Sequence, residues 1–166
     1  MRRLGLLAAV LAVLLLPAQA LATGAAQRGE FTTAVTTELH APVTIHTRRA
    51  LQAELQAEGG FARNNPFNTT LRLPGSTDYN SVGVQNYIDA AQGVDATVKT
   101  LKQRCCGYWR IRQALRANAP ARTIVRAFGI SEWGTNLSLV LAVLDDIIHN
   151  RAPNTLAALE ATYITG

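Results

Sequence analysis

The chain is poor in the groups from which metal and redox centres are built. It contains three histidines, His40, His46 and His149, and two cysteines, Cys105 and Cys106. The histidines are too scattered for a ligand set and no C-x-x-C pair accompanies them, so no metal and no other cofactor is expected. The cysteines are adjacent. A disulfide prefers Cα atoms farther apart than neighbouring residues comfortably allow, which excludes a conventional staple between distant parts of the fold. The spacing predicts small buried hydrophobes or an intermolecular bridge instead. Charged residues make up only 16% of the chain, and the basic ones are scattered rather than striped. That pattern argues against a nucleic-acid partner. There is no internal repeat and no interdomain linker, so the 166 residues are read as one domain behind a leader.

What is present begins with Met1-Arg2-Arg3 and an apolar run from Leu4 to Leu16, ended by Pro17. Ala18-Gln19-Ala20 and Ala20-Leu21-Ala22 both fit a small-x-small cleavage site. Basic, apolar and cleavage regions in that order predict a signal peptide over residues 1–22 and a secreted, extracellular or wall-associated product. The run is too short for a comfortable span, so no stable membrane segment is expected after cleavage; an uncleaved anchor is the alternative. The whole chain has 16 Lys+Arg against 11 Asp+Glu, a net +5. Without Arg2 and Arg3 this becomes 14 against 11, or +3. A mildly basic exported domain suits an anionic partner such as a bacterial cell wall.

Residues 23–46 are rich in Thr, Ala and Gly with little periodicity and read as a flexible leader. Thr47 resembles an N-cap for a helix from Arg48 to Glu58. Thr70–Leu73 and Val82–Tyr87 read as short strands around a turn. Helices are expected from about Asp89 to Lys102, from Tyr108 to Ala117, after Pro120 with Gly129 at C′, and from Asn136 to Asn150. A short one is expected from Asn154 to Ala161. The mature part, residues 47–166, is therefore expected to be mainly α (α+β), with a small β-hairpin.

The stretch Ala57 to Thr70, AEGGFARNNPFNTT, carries the chemistry. Leu51, Leu55 and Glu58 are spaced i, i+4, i+7 and share one helix face. The carboxyl thus ends an apolar stripe. Partial desolvation and the negative end of the helix dipole both push its pKa upward. A protonated acid facing an asparagine-rich loop is a way to cleave a glycosidic bond; its bland counterpart is a solvated Glu before a glycine cap.

The order of motifs resembles the lysozyme-like superfamily, and most of all the glucosaminidase-type peptidoglycan hydrolases. The likeness rests on Glu58-Gly59-Gly60, Asn64-Asn65-Pro66-Phe67, Val84 to Tyr87 and Gln92 to Leu101. NNPFNTTLRLPGSTDYNSVGVQNY and the later Ser131-Glu132-Trp133-Gly134-Thr135 also resemble cell-wall domains of actinobacteria and their phages. Gly60 and Phe61 stand where similar enzymes carry Ser/Thr and Trp. The resemblance implies a lysozyme-like helical domain with its hairpin lobe beside an active-site cleft, and Glu58 as general acid. A second carboxylate is common in glycosidases. Asp78 near the hairpin tip is the candidate and Asp95 the runner-up, although the substrate's acetamido group or closure of an internal 1,6 ring can replace it. Tyr87 matches a tyrosine beside the cleaved sugar, or else packs on the helix behind it. Asn64, Asn65, Asn68 and Asn80 would bind sugar hydroxyls and acetamido groups, or serve as turn residues. Trp133 would stack on a sugar ring or plug the core.

These readings make the chain a secreted glycosidase acting on peptidoglycan or a related amino-sugar polymer, by hydrolysis or lytic transglycosylation. A non-catalytic wall-binding module on the same fold is the alternative, and an unrelated helical secreted protein a third reading.

Overall fold

The computed structural model describes residues 27–151. The expected signal peptide and the expected helix at 154–161 lie outside the described residues. Within them the chain is mainly helical with one two-stranded sheet.

The first described helix, α1, covers residues 27–38. Residues 27–46 are therefore not the flexible leader expected from composition. Phe31, Val35 and Leu39 recur every four residues and are buried, a stripe easily overlooked among Thr, Ala and Gly. The threonines solve their own polarity. Thr32 and Thr33 donate to the Gly29 carbonyl, Thr36 to that of Thr32, and Thr37 to that of Thr33.

Helix α2, Ile45–Glu58, is the centre of the fold. It starts one turn earlier than the sequence predicts because Thr44, not Thr47, is the N-cap. The two threonines cap each other: the Thr44 amide donates to Thr47 Oγ1 at 2.9 Å and the Thr47 amide to Thr44 Oγ1 at 3.4 Å. Gly59, at φ 58°, ends the helix in the left-handed conformation that glycine adopts without cost. Ala50, Leu51, Ala53, Glu54, Leu55 and Ala57 are all buried.

The hairpin is displaced from its expected place. β1, Thr77–Asp78, pairs antiparallel with β2, Gln85–Asn86, Thr77 facing Asn86 and Asp78 facing Gln85. Residues 70–73 are not a strand. The Thr69 carbonyl takes the Gln85 amide and the Leu71 carbonyl takes the Tyr87 hydroxyl, two isolated bonds in place of a ladder.

Four further helices complete the described chain: α3, Ala90–Lys102; α4, Tyr108–Arg116; α5, Ala121–Gly129; and α6, Leu137–Ile148. α2 packs on α5 and α6, and α4 bridges α3 and α5. Gly129 closes α5 as its last residue rather than standing beyond it, and Ile130 is the cap. α6 is capped by Asn136, whose side chain accepts from the Ser138 and Leu139 amides, and it buries Val140, Val143 and Leu144. No helix among the described residues is long and apolar enough to cross a membrane.

Trp133 joins these layers. Its ring meets those of Phe67, Tyr108 and Phe128 edge-on, with centroids 6.0, 5.7 and 5.6 Å away. Half-buried, it packs against the core, as the second of the two roles considered for it expects. Cys105 and Cys106 are also unlike their expectation: they are bonded to each other across neighbouring Cα atoms 3.8 Å apart, with Cys105 exposed. Bonding within the turn satisfies both sulfurs locally and staples no distant segments.

Candidate active site

Glu58 closes α2, and its carboxyl is gripped from two directions. Asn68, at φ 52°, turns its side chain back so that Nδ2 donates to the Glu58 carbonyl at 3.0 Å and to its Oε2 at 3.1 Å. The Thr135 hydroxyl, 77 residues downstream, donates to Glu58 Oε1. Burial raises the Glu58 pKa above the ordinary carboxylate value, and bonds from Thr135, Asn68 and the Trp133 side chain hold that rise in check. The expected desolvation of the acid is thus present, opposed by three donors that the sequence pattern did not assign to it.

One turn before Glu58, at i−4 on the same face, lies Glu54. It is fully buried, and neither carboxyl oxygen has a hydrogen-bond partner among the described residues. Burial first, and the Glu58 charge to a lesser degree, push its pKa to about 8, while the nearby Thr135 hydroxyl lowers it. Thr135 is close enough to act on both carboxyls but is engaged in good geometry only with Glu58. Sequence reasoning passed over Glu54 and Thr135 alike. For Glu54 the signal was available: position 54 follows Leu51 by three and precedes Glu58 by four, so it belongs to the stripe. For Thr135 there was only its place in Ser131–Thr135.

The remaining candidates are mostly committed to building the loop. Asn65 is fully buried. Its Nδ2 donates to the carbonyls of Thr69 at 2.8 Å and Gln85 at 2.7 Å, and its Oδ1 accepts from the Thr69 amide and hydroxyl. With its side chain saturated it has no bond left for a sugar, which corrects the expectation. Tyr87 is likewise buried, its hydroxyl donating to the Leu71 carbonyl and lying 2.9 Å from Thr69 Oγ1. It packs within the hairpin region, the second of the two roles considered for it. Asn64, at φ 56°, donates to the Tyr87 carbonyl at 3.0 Å, and Asn80 accepts from the Val84 amide in the exposed hairpin turn. Asn68 is the asparagine that the fold brings to the acid.

Asp78 is not brought to it. Both of its oxygens take Arg72 Nη2, at 3.0 and 2.9 Å, and Oδ1 also accepts Gln85 Nε2 at 2.5 Å. All of these partners belong to the hairpin region. Asp95, the runner-up, forms an exposed pair with Lys99 one turn along α3.

Two close backbone approaches fix the loop against the helices. A Cβ on Gly93 would fall 1.9 Å from the Asn64 carbonyl oxygen, and one on Gly60 would fall 2.6 Å from that of Pro66. The side chain of Phe61 projects into solvent, 87% exposed. Beside this corner opens a depression of about 920 Å³, lined by Phe31, Gly59, Gly60, Phe61, Asn64 and Pro66 among others. The Glu58 carboxyl is not part of its wall. No group of His, Cys, Asp and Glu among the described residues is arranged to hold a metal ion. No family model, curated protein or solved structure matches the chain.

Proposed function

We propose that the protein is a secreted glycosidase of peptidoglycan or a related amino-sugar polymer, with Glu58 as its general acid. The observation that carries this reading is the Glu58 carboxyl itself. It is partly desolvated, its pKa is raised, and it is held by side chains from segments far apart in sequence. Those properties suit a group that must be protonated near neutral pH and stabilised once the proton has left.

The engagement of Asp78 by Arg72 and Gln85 favours a reaction with one catalytic carboxyl. Glu58 passes its proton to the glycosidic oxygen as the bond from that oxygen to C1 breaks, so the leaving sugar departs as a neutral alcohol. The electron-poor C1 is then captured by a group of the substrate, its acetamido oxygen or its own C6 hydroxyl. In the first case an oxazolinium ring forms, and water opens it at C1 while the Glu58 carboxylate takes the water's proton and the acetamido group is re-formed. In the second case the Glu58 carboxylate takes up the hydroxyl proton, a 1,6-anhydro sugar forms, and no water is consumed. Asn68 and Thr135 donate to the carboxyl and stabilise it most when it is charged.

The test is digestion of purified cell walls by the mature protein beside Glu58→Gln. The variant is expected to lose on the order of a hundredfold or more in rate, with circular dichroism and wall binding unchanged. Wild-type protein that binds walls and releases no sugar ends would replace this reading by the binding module.

A further inference from the structure

Among the described residues Glu54 is the carboxyl that is wholly buried with both oxygens unpartnered. A leucine would fill such a site in the middle of α2 with no polar group to desolvate, so the acid there calls for a role. We propose that Glu54, buried and unpartnered one turn before Glu58, is a positioning residue that acts through Thr135 to stabilise the Glu58 carboxylate as it forms. Its effect on rate rests on the glycosidase reading above; its effect on Glu58 does not.

The chemistry follows from the capacity of a hydroxyl. Thr135 Oγ1 has one proton and two lone pairs. Its proton goes to Glu58 Oε1, which leaves a lone pair free to accept from a protonated Glu54, a carboxyl on which Thr135 also acts and whose oxygens have no other partner. A hydroxyl that accepts a hydrogen bond becomes a stronger donor, so the chain from Glu54 through Thr135 to Glu58 strengthens as negative charge grows at its end. No proton leaves Glu54. The proton released by Glu58 goes to the glycosidic oxygen, and Glu54 retains its own.

Once Glu54 ionises, it can no longer donate and its charge opposes that of Glu58. The groups that act on Glu54 are the Glu58 charge and the Thr135 hydroxyl. The charged side chains of the neighbouring elements are exposed or paired with one another. On α5, Arg122 and Arg126 are exposed; on α6, Asp145 pairs with Arg122 and Arg151, and Asp146 with Arg151. Glu132, in the segment leading to Thr135, is exposed, as are Glu30 and Glu38 on α1.

The experiment is an NMR titration of side-chain-labelled Glu58 in the full mature chain, in wild type, Glu54→Leu, Glu54→Gln and Thr135→Val. Loss of the donor in Glu54→Leu should raise the Glu58 pKa, whereas Glu54→Gln, whose amide can still donate to Thr135, should stay near wild type. In a Thr135→Val background the Glu54→Leu substitution should have no further effect, because the connection is already cut. On soluble glycan strands Glu54→Leu should lower kcat about tenfold with KM unchanged, and Glu54→Gln should restore it to within about threefold. If Glu54→Leu does not fold, Glu54→Met takes its place. An unchanged Glu58 titration in the apolar variant, or a shift that survives intact in Thr135→Val, would overturn the proposal. Should the wild type prove inert on every wall, the glycosidase reading fails and the titrations still decide this one.

Discussion

Replacing Glu54 should make the protein more stable, and the pH dependence of that gain is calculable. Burial pushes the folded-state pKa from the ordinary 4.5 to about 8. As pH rises through 4.5 the unfolded chain releases this proton while the folded chain keeps it. Stability therefore falls from about pH 4.5 and levels off above about pH 8, where both states are ionised. At 1.36 kcal/mol per pH unit, the 2.5 units between 4.5 and 7 amount to about 3 kcal/mol of destabilisation at neutrality. Glu54→Leu removes it and also removes an unsatisfied buried carboxyl. For a domain of this size that corresponds to a rise in Tm of roughly ten degrees at pH 7, shrinking toward pH 4.5. The assay is urea unfolding of wild type and variant at half-unit steps from pH 4.5 to 8.5. A difference between the two that stays constant across that range would refute the reasoning, since it would mean that Glu54 ionises alike in both states.

Gly93→Ala should destabilise by about 2–4 kcal/mol, the range of severe overpacking, because its Cβ would overlap the Asn64 carbonyl; denaturant midpoints measure it. Asp78→Asn should change stability by less than about 1 kcal/mol, since its pair with Arg72 is exposed at 73% and 52%, and should leave wall digestion within about twofold if Glu58 works as the only catalytic carboxyl. Changing Cys105 and Cys106 together to Ser should lower Tm by only a few degrees, because a bond between adjacent residues removes little entropy from the unfolded chain. A calorimetric scan under non-reducing conditions settles that point.

The helical character and the presence of a small hairpin were legible in the sequence, and so was a carboxyl at the end of α2, because each leaves a local mark: an apolar period, a proline or glycine, an acid before a glycine pair; the hairpin's register was not. α1 was missed because composition hid a stripe of only three large residues. Of the two roles open to the loop asparagines, sugar contact or turn, Asn65 takes the structural one, while Asn68 meets the acid. Asn64 and Asn68 take left-handed backbone conformations, and Asn65 ties the loop to Thr69 and Gln85. An amide able to saturate itself within its own loop looks, in sequence, the same as one that waits for a sugar. Thr135 was beyond reach for another reason: the partner of a side chain 77 residues away is set by packing, which leaves no local period to read.

The placement of the two tryptophans gives the molecule its own optical reporter. Trp133 sits among Phe67, Tyr108 and Phe128 and acts on the Glu58 carboxyl, whereas Trp109 is half open to water with the Arg110 guanidinium 5.1 Å from its ring. The first should emit at short wavelength and resist collisional quenchers; the second should emit farther to the red and be quenched readily. In Trp109→Phe the remaining fluorescence comes from a ring beside the acid. Its intensity against pH then follows the Glu58 proton without label or substrate.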